Sequence, residues 1–457
     1  MRLVLKLLKW VFILAVLATI GLAGWLYAAP PALIRVGTGY AAKIVCSNVL
    51  IAGRNADDVL RIDVQAPGHP LLRLVSVDID QANGTVTAGL LGIFGKQTAL
   101  MRDKGLGCSS VPDGDLEAAK AAAGAIPLPP PLPDALWPQG NRVDASQAPA
   151  LAAVLDDPAL TGPGMRAVVV VRDGRIVGER YGEGFWIETP LLGWSMAKTV
   201  NAAIIGTFIG DGKMTLADKG LFADWTDKRA EISVADLMAM SSGLEFNEEY
   251  GDVTDVTRML YLEPDMAGFA ETKPLANEVG SVFSYSSGTT VMLSRLWQDR
   301  VGSDALTWPQ ARLFAPIGMT SAVLEMDARG TFAGSSYIYA TARDWARFGQ
   351  FLLQDGVWDG QAILPPGFVA WMREAAPASK GIYARGQLWL QGPTGGIAPG
   401  EDPDAGFGLP DDTFWLQGHD GQSVAVIPSK KLVVVRMGLT PRVLGYRPQA
   451  LVAKLAE

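Results

Sequence analysis

The strongest pattern along the chain is one long apolar run. Arg2, Lys6 and Lys9 precede an uncharged stretch from 10 to about 34, enough for one membrane crossing at roughly 20 residues per span. The basic flank predicts a cytoplasmic N-terminus and an exported body, hence a single-pass protein of the cell (inner) membrane with its body periplasmic. A cleaved signal peptide is the rival reading, but Leu26 and Tyr27 stand where cleavage requires small residues. This favours an uncleaved anchor over 1–35.

Shorter periods follow. Residues 41–51 have a helical pattern that carries Cys46. Residues 74–80 alternate as a half-buried strand does, Asn83-Gly84 supplies a hairpin turn, and 85–87 return. Together these form a small α/β unit over 36–115. From 116 to 140 the chain is rich in alanine and proline, with Pro127-Leu-Pro-Pro-Pro-Leu-Pro133 at its centre. Such a run is a semi-rigid connector.

The remainder, 141–457, is one larger unit. A helix is expected over 144–155, a buried strand over 167–171, a turn at Asp173-Gly174 and a partner strand over 176–181. Helical periods recur around 234–240, 289–299 and 341–353. Strands are expected over 413–417, 423–427 and 432–437, the last two joined by Pro428-Ser429-Lys430-Lys431. Strands at both ends with helices between predict one antiparallel sheet in which the unit's two ends pair, an α+β fold.

Composition narrows the function. The net charge is −8 and the body has no basic run, which excludes the electrostatic footprint of a nucleic-acid binder. Two histidines and two cysteines are too few for a His/Cys metal site, and neither metal nor cofactor is expected. His69, within Pro67-Gly68-His69-Pro70, has the setting of a solvated loop residue. Cys46 and Cys108 both lie beyond the apolar run, and in an oxidising compartment such a pair forms a disulfide.

The candidate chemistry centres on Ser195 and Lys198. They open a small-and-apolar stretch that follows Thr189-Pro190 and ends at Gly210-Asp211-Gly212, the pattern of a buried helix with a glycine stop. Residues i and i+3 share a helix face, so hydroxyl and amine come within hydrogen-bond reach. A serine needs a base to become a nucleophile, and a buried lysine can serve. Ser-x-x-Lys alone is a weak signal. Two further segments strengthen it. Phe283-Ser-Tyr285-Ser-Ser287-Gly places a tyrosine and hydroxyls before a helix. Gly418-His419-Asp-Gly421-Gln422 enters a strand, where Gly421 permits close approach to the backbone and the N–H of Gln422 can meet an oxyanion.

In order and spacing, Ser195-Met-Ala-Lys198, Tyr285-Ser-Ser287 and His419-Asp-Gly421 resemble the three signature boxes of the penicillin-recognising serine hydrolases. The class C β-lactamase-like branch is the nearest, in particular the 6-aminohexanoate-dimer (nylon oligomer) hydrolases and related esterases. Leu237-Met-Ala-Met-Ser-Ser-Gly243, Asn247-Glu-Glu-Tyr250 and the segment 337–349 are similar to those hydrolases as well. The resemblance covers the third unit and implies a β-lactamase/transpeptidase-like antiparallel sheet with a helical domain. It also implies roles: Ser195 as nucleophile, Lys198 and Tyr285 as proton carriers, the N–H groups of Ser195 and Gln422 around the oxyanion, and Tyr250 against the scissile amide.

Two departures bear on substrate. Ser287 stands where β-lactamases usually have asparagine, and His419 stands where they have lysine, which removes a fixed cation for a substrate carboxylate. A small ester or amide is therefore expected, ahead of a β-lactam or a D-Ala stem. A β-lactamase or D-Ala carboxypeptidase, or an acylated sensor that does not turn over, are the alternatives. Asp252 and Asp255 are the acids at hand for a substrate amine.

Overall fold

The apolar run folds as a helix, α1 (Arg2–Ala28). Its segment Leu3–Ala28 has a mean hydropathy of 2.3, with none of its most apolar window buried, and is long and apolar enough to cross a membrane. The structure, a computed structural model, describes residues 2–66, 68–122, 124–144 and 149–457. Pro30 and Pro31 divide the apolar stretch, because proline has no N–H to continue a helix. Leu33 and Ile34, expected in the span, belong instead to the first turn of α2 (Ala32–Leu50).

Helix α2 is the spine of the N-terminal unit and carries Cys46. It packs across four antiparallel strands in sequential order, β1 (Val75–Asp80), β2 (Thr85–Leu90), β3 (Phe94–Asp103) and β4 (Gly107–Val111). The expected hairpin is the β1–β2 half, with Asp78 opposite Thr87 and Gly84 turning at φ +65°. Cys46 is bonded to Cys108 on β4, 62 residues away, and both are buried.

The core of this unit is completed by residues of the larger one. Ile44, Val45 and Val86 share a cluster with Val256, Leu260 and Tyr261 of the helix Asp255–Tyr261, and with Trp194. Polar links cross the same boundary. Lys43 on α2 forms a buried ion pair with Glu325, whose carboxylate also accepts from Ser47 Oγ (2.8 Å) and Cys108 N–H (2.7 Å). Asp63 sits between Arg54 (2.8 Å) and Arg166 (2.6 Å), the latter on β5 (Met165–Arg172). The connector is pinned as well: Trp137 is buried, and Arg347 donates to the carbonyls of Pro138 (3.0 Å) and Gly140 (2.6 Å).

The larger unit is built on a five-stranded sheet. After β5 come β6 (Arg175–Tyr181), β7 (Phe414–Gly418), β8 (Gln422–Ile427) and β9 (Leu432–Gly438), in the order β7-β8-β9-β5-β6. Strands β9 and β5 are antiparallel with Val434 opposite Val170, so the two ends of the unit meet mid-sheet as the hydrophobic pattern predicts. Alternate residues of β5 enter two cores. Val169 and Val171 pack with Phe348 and Phe351, whereas Val168 and Val170 pack with Leu155, Leu451 and Leu455. Both faces are covered by helices, which is why these strands read as unbroken apolar runs. Of the helix expected over 144–155, Pro149–Asp156 is observed; 145–148 lie outside the described residues.

Candidate active site

The chain leaves a two-residue strand, Leu191–Leu192, and turns sharply into α3 (Met196–Gly210). Trp194 takes φ +48°, a left-handed conformation that is costly for a bulky residue. Packing holds it there, with its ring 5.8 Å from Tyr337 and 5.6 Å from His419. Gly193 has no room for a side chain, since a Cβ would lie 2.2 Å from the Trp345 ring. Ser195 occupies the N-cap of α3, one step ahead of the first helical turn expected for it. The first N–H groups of a helix carry partial positive charge, which suits a developing oxyanion.

Lys198 is buried, and its Nζ donates to Ser195 Oγ, Ser287 Oγ and the Ser335 carbonyl, each at 3.0 Å. Burial disfavours the ammonium and brings its pKa down to about 8, against the opposing pull of Glu248. Tyr285 lies beside it, with Lys198 Nζ 4.7 Å from the ring centroid. Burial and the charge of Glu248 raise its pKa, outweighing the opposing influence of Ser195, so the phenol stays neutral. Tyr383 (5.7 Å) and Trp389 (5.3 Å) hold the ring.

Ser287 begins α4 (Ser287–Val301) and is fully buried. Its hydroxyl accepts from Lys198 and donates to Glu248, and its N–H donates to the same carboxylate at 2.7 Å. Sequence reasoning missed Glu248. The available signal was alternation in Asn247-Glu-Glu-Tyr250, where residues 248 and 250 are half-buried and 247 and 249 exposed. Burial raises the Glu248 pKa, partly offset by Lys198 and by the bonds from Ser287. Tyr250 stacks on His419, centroids 4.6 Å apart.

The third segment reaches the same place from the sheet. His419 is exposed, with Nε2 3.5 Å from Asp420 Oδ1. Gly421 turns at φ +84°, and a Cβ there would lie 3.0 Å from both Arg436 Nη1 and Thr440 Cβ. The chain itself, not open space, thus crowds this glycine. The Gln422 side chain is buried and spent on backbone, donating to the carbonyls of His419 (3.1 Å) and Gly438 and accepting from the Gly438 N–H (2.9 Å).

Asp252 and Asp255 are not brought to this cluster. Asp255 pairs with Lys273 and accepts from the Asn247 N–H at 2.8 Å, and Asp252 accepts from the Val253 N–H at the surface. Among the described residues no group of His, Cys, Asp or Glu is arranged to hold a metal ion.

Helices on both faces of an antiparallel sheet, with a serine–lysine–tyrosine cluster where β7 and β8 meet α3, define a serine hydrolase of the β-lactamase-like fold. Residues 158–442 match the Beta-lactamase family, and the chain belongs to it. A 6-aminohexanoate-dimer hydrolase of Paenarthrobacter ureafaciens is 24% identical over 279 residues, 55% of this chain and 69% of that one. A Bacillus anthracis protein assigned as a 6-aminohexanoate-dimer hydrolase superposes with a TM-score of 0.52 at 23% identity, covering 69% of this chain and 84% of its own. A family VIII carboxylesterase superposes at 0.50 with 14% identity, covering 69% and 100%. At these identities the structural likeness is one of fold.

Proposed function

We propose that this protein is a membrane-tethered hydrolase that cleaves a small ester or amide through an acyl-enzyme on Ser195, with its catalytic portion outside the cytoplasm. In this reading residues 1–35 anchor, 36–115 form a disulfide-linked unit, 116–140 connect and 141–457 carry the chemistry. As Ser195 Oγ bonds to the substrate carbonyl carbon, its proton passes to neutral Lys198. The carbonyl oxygen, now an oxyanion, is met by the N–H groups of Ser195 and Gln422. The tetrahedral species collapses, and the leaving alkoxide or amine takes a proton through Tyr285. Water then attacks the acyl-enzyme, giving up a proton to the same lysine–tyrosine pair; the acyl C–Oγ bond breaks, the pair returns the proton to Ser195 Oγ, and the acid leaves.

One observation carries this reading: Lys198 Nζ lies 3.0 Å from Ser195 Oγ in a buried setting that brings its pKa down to about 8. With His419 replacing a fixed cation, neutral esters and amides suit the site better than carboxylates. The apolar helix α1 and the Cys46–Cys108 disulfide support the tether and the oxidising compartment.

The test is a panel of p-nitrophenyl butyrate, a cephalosporin and a linear amide. Steady turnover of the ester is expected, with Ser195→Ala lowering kcat about a thousandfold or more. A burst without turnover would replace this reading with an acylated sensor. Preference for the cephalosporin would replace it with a β-lactamase.

A further inference from the structure

Beside the catalytic cluster lies a cavity of about 330 Å³ that neither the chemistry nor the fold requires. One wall belongs to the larger unit, with Trp194, the residue before Ser195, beside His419, and Tyr250 stacked on the same histidine. The opposite wall belongs to the N-terminal unit, with Leu33, Gly37 and Leu72 among its residues. The volume falls within the roughly 300–1,000 Å³ typical of small-molecule sites. Most of the lining is aliphatic or aromatic; Tyr250, His419 and Asp420 supply polar groups on the catalytic side, and Thr38 and His69 on the other.

The open side has a surface to match. Leu71 (37%), Leu74 (50%), Leu91 (57%) and Ile93 (53%) are exposed on the same unit. They lie together, since the Leu91 N–H donates to the Leu74 carbonyl at 2.8 Å in the turn between β2 and β3. The start of β3, next to this turn, abuts the junction between α1 and α2, because a Cβ on Gly95 would lie 2.7 Å from Ile34 and 3.4 Å from Pro30. An apolar patch adjoining a membrane helix is the kind of surface that seats in the lipid interface. Leu33 and Leu71 belong to both the cavity wall and this neighbourhood.

We propose that the cavity receives the unbranched aliphatic chain of an amphiphilic ester or amide, delivered from the bilayer surface with its carbonyl directed to Ser195. The inference rests on the hydrolase reading and gives it a substrate class. It also gives the N-terminal unit a purpose, which is to supply the half of the chain-binding wall that the catalytic unit lacks. The reaction is the hydrolysis already described, with water as the only co-reactant.

The experiment uses the full-length protein in nanodiscs and has two arms. In the first, Ser195→Ala protein is irradiated with a dodecanoyl ester bearing a diazirine along its chain, and the cross-links are mapped. They are expected in segments 33–40 and 68–75; cross-links confined to α1 would overturn the proposal. In the second, kcat/KM is measured for p-nitrophenyl esters of rising acyl length, as soluble monomers and embedded in phosphatidylcholine vesicles. Selectivity is expected to rise about three- to fourfold per methylene until the cavity is full. Gly37→Leu, which projects into the cavity, should lower the long-to-short ratio at least tenfold. A flat length profile, or equal loss on long and short esters, would overturn the proposal. A gain confined to monomers would overturn delivery from the bilayer. Cavity cross-links without hydrolysis of any ester would sink the hydrolase reading and leave the chain-binding site standing.

Discussion

Lys198 and Glu248 are joined through a single hydroxyl. Lys198 Nζ donates to Ser287 Oγ at 3.0 Å, and Ser287 Oγ donates to the Glu248 carboxylate. An acid thus stands one hydroxyl away from the lysine that touches Ser195. Its charge favours the ammonium, while burial favours the amine; burial is the larger effect, and the lysine titrates at about 8.

A pH dependence follows with a definite sign. In the proposed mechanism Lys198 is neutral when it takes the Ser195 proton, so kcat/KM for a neutral ester should rise as pH rises through about 8 and then level. Glu248→Gln removes the anion that favours the ammonium, so the inflection should move to lower pH. A pH–rate profile of both proteins checks this; an upward move would contradict it.

Ser287→Ala cuts the link itself. Lys198 loses one of three acceptors, and Glu248 loses a hydroxyl donor while keeping the backbone N–H at 2.7 Å. A fall in kcat of about ten- to hundredfold is expected, matching one or two buried hydrogen bonds. KM should change little.

The boundary between the two units should be as firm as a protein core. Lys43→Met leaves Glu325 buried without its cation, at a cost of about 3–5 kcal/mol. Thermal unfolding in detergent should show a large loss, and Lys43→Met with Glu325→Leu should recover part of it. Full stability of the single variant would mean that the pair contributes nothing.

His419 is the site's departure from a fixed cation, and its ring stacks on Tyr250. His419→Lys should shift preference toward a carboxylate-bearing ester over its neutral analogue by about 1–2 kcal/mol in kcat/KM. An equal effect on both esters would show that the imidazole serves to hold Tyr250 in place and does not select charge.

What the chain discloses before folding depends on how local the signal is. The valine run 168–171 and the strands after 413 declare themselves through continuous apolarity, and their pairing follows from lying at opposite ends of one unit. Ser195, Lys198 and Tyr285 are legible because a helix start fixes one pair and a polar loop marks the third. Glu248 is not, since a carboxylate in a charged loop looks solvated until Ser287 is placed against it. Nor is the contact between α2 and Glu325, made by residues 282 apart in sequence. Strands β3 and β4 escape for another reason: Phe94–Asp103 pairs on both sides and carries charges at its ends, which blurs the alternation.

The central claim is that Ser195 carries the acyl group, and one measurement addresses it directly. The full-length protein is treated with a slowly turned-over ester or a fluorophosphonate, digested, and the adduct located by mass spectrometry. The account predicts one modification, on Ser195, absent from Ser195→Ala and much slowed in Lys198→Ala. Undiminished labelling of Ser195→Ala, or an adduct on any other residue, would contradict it.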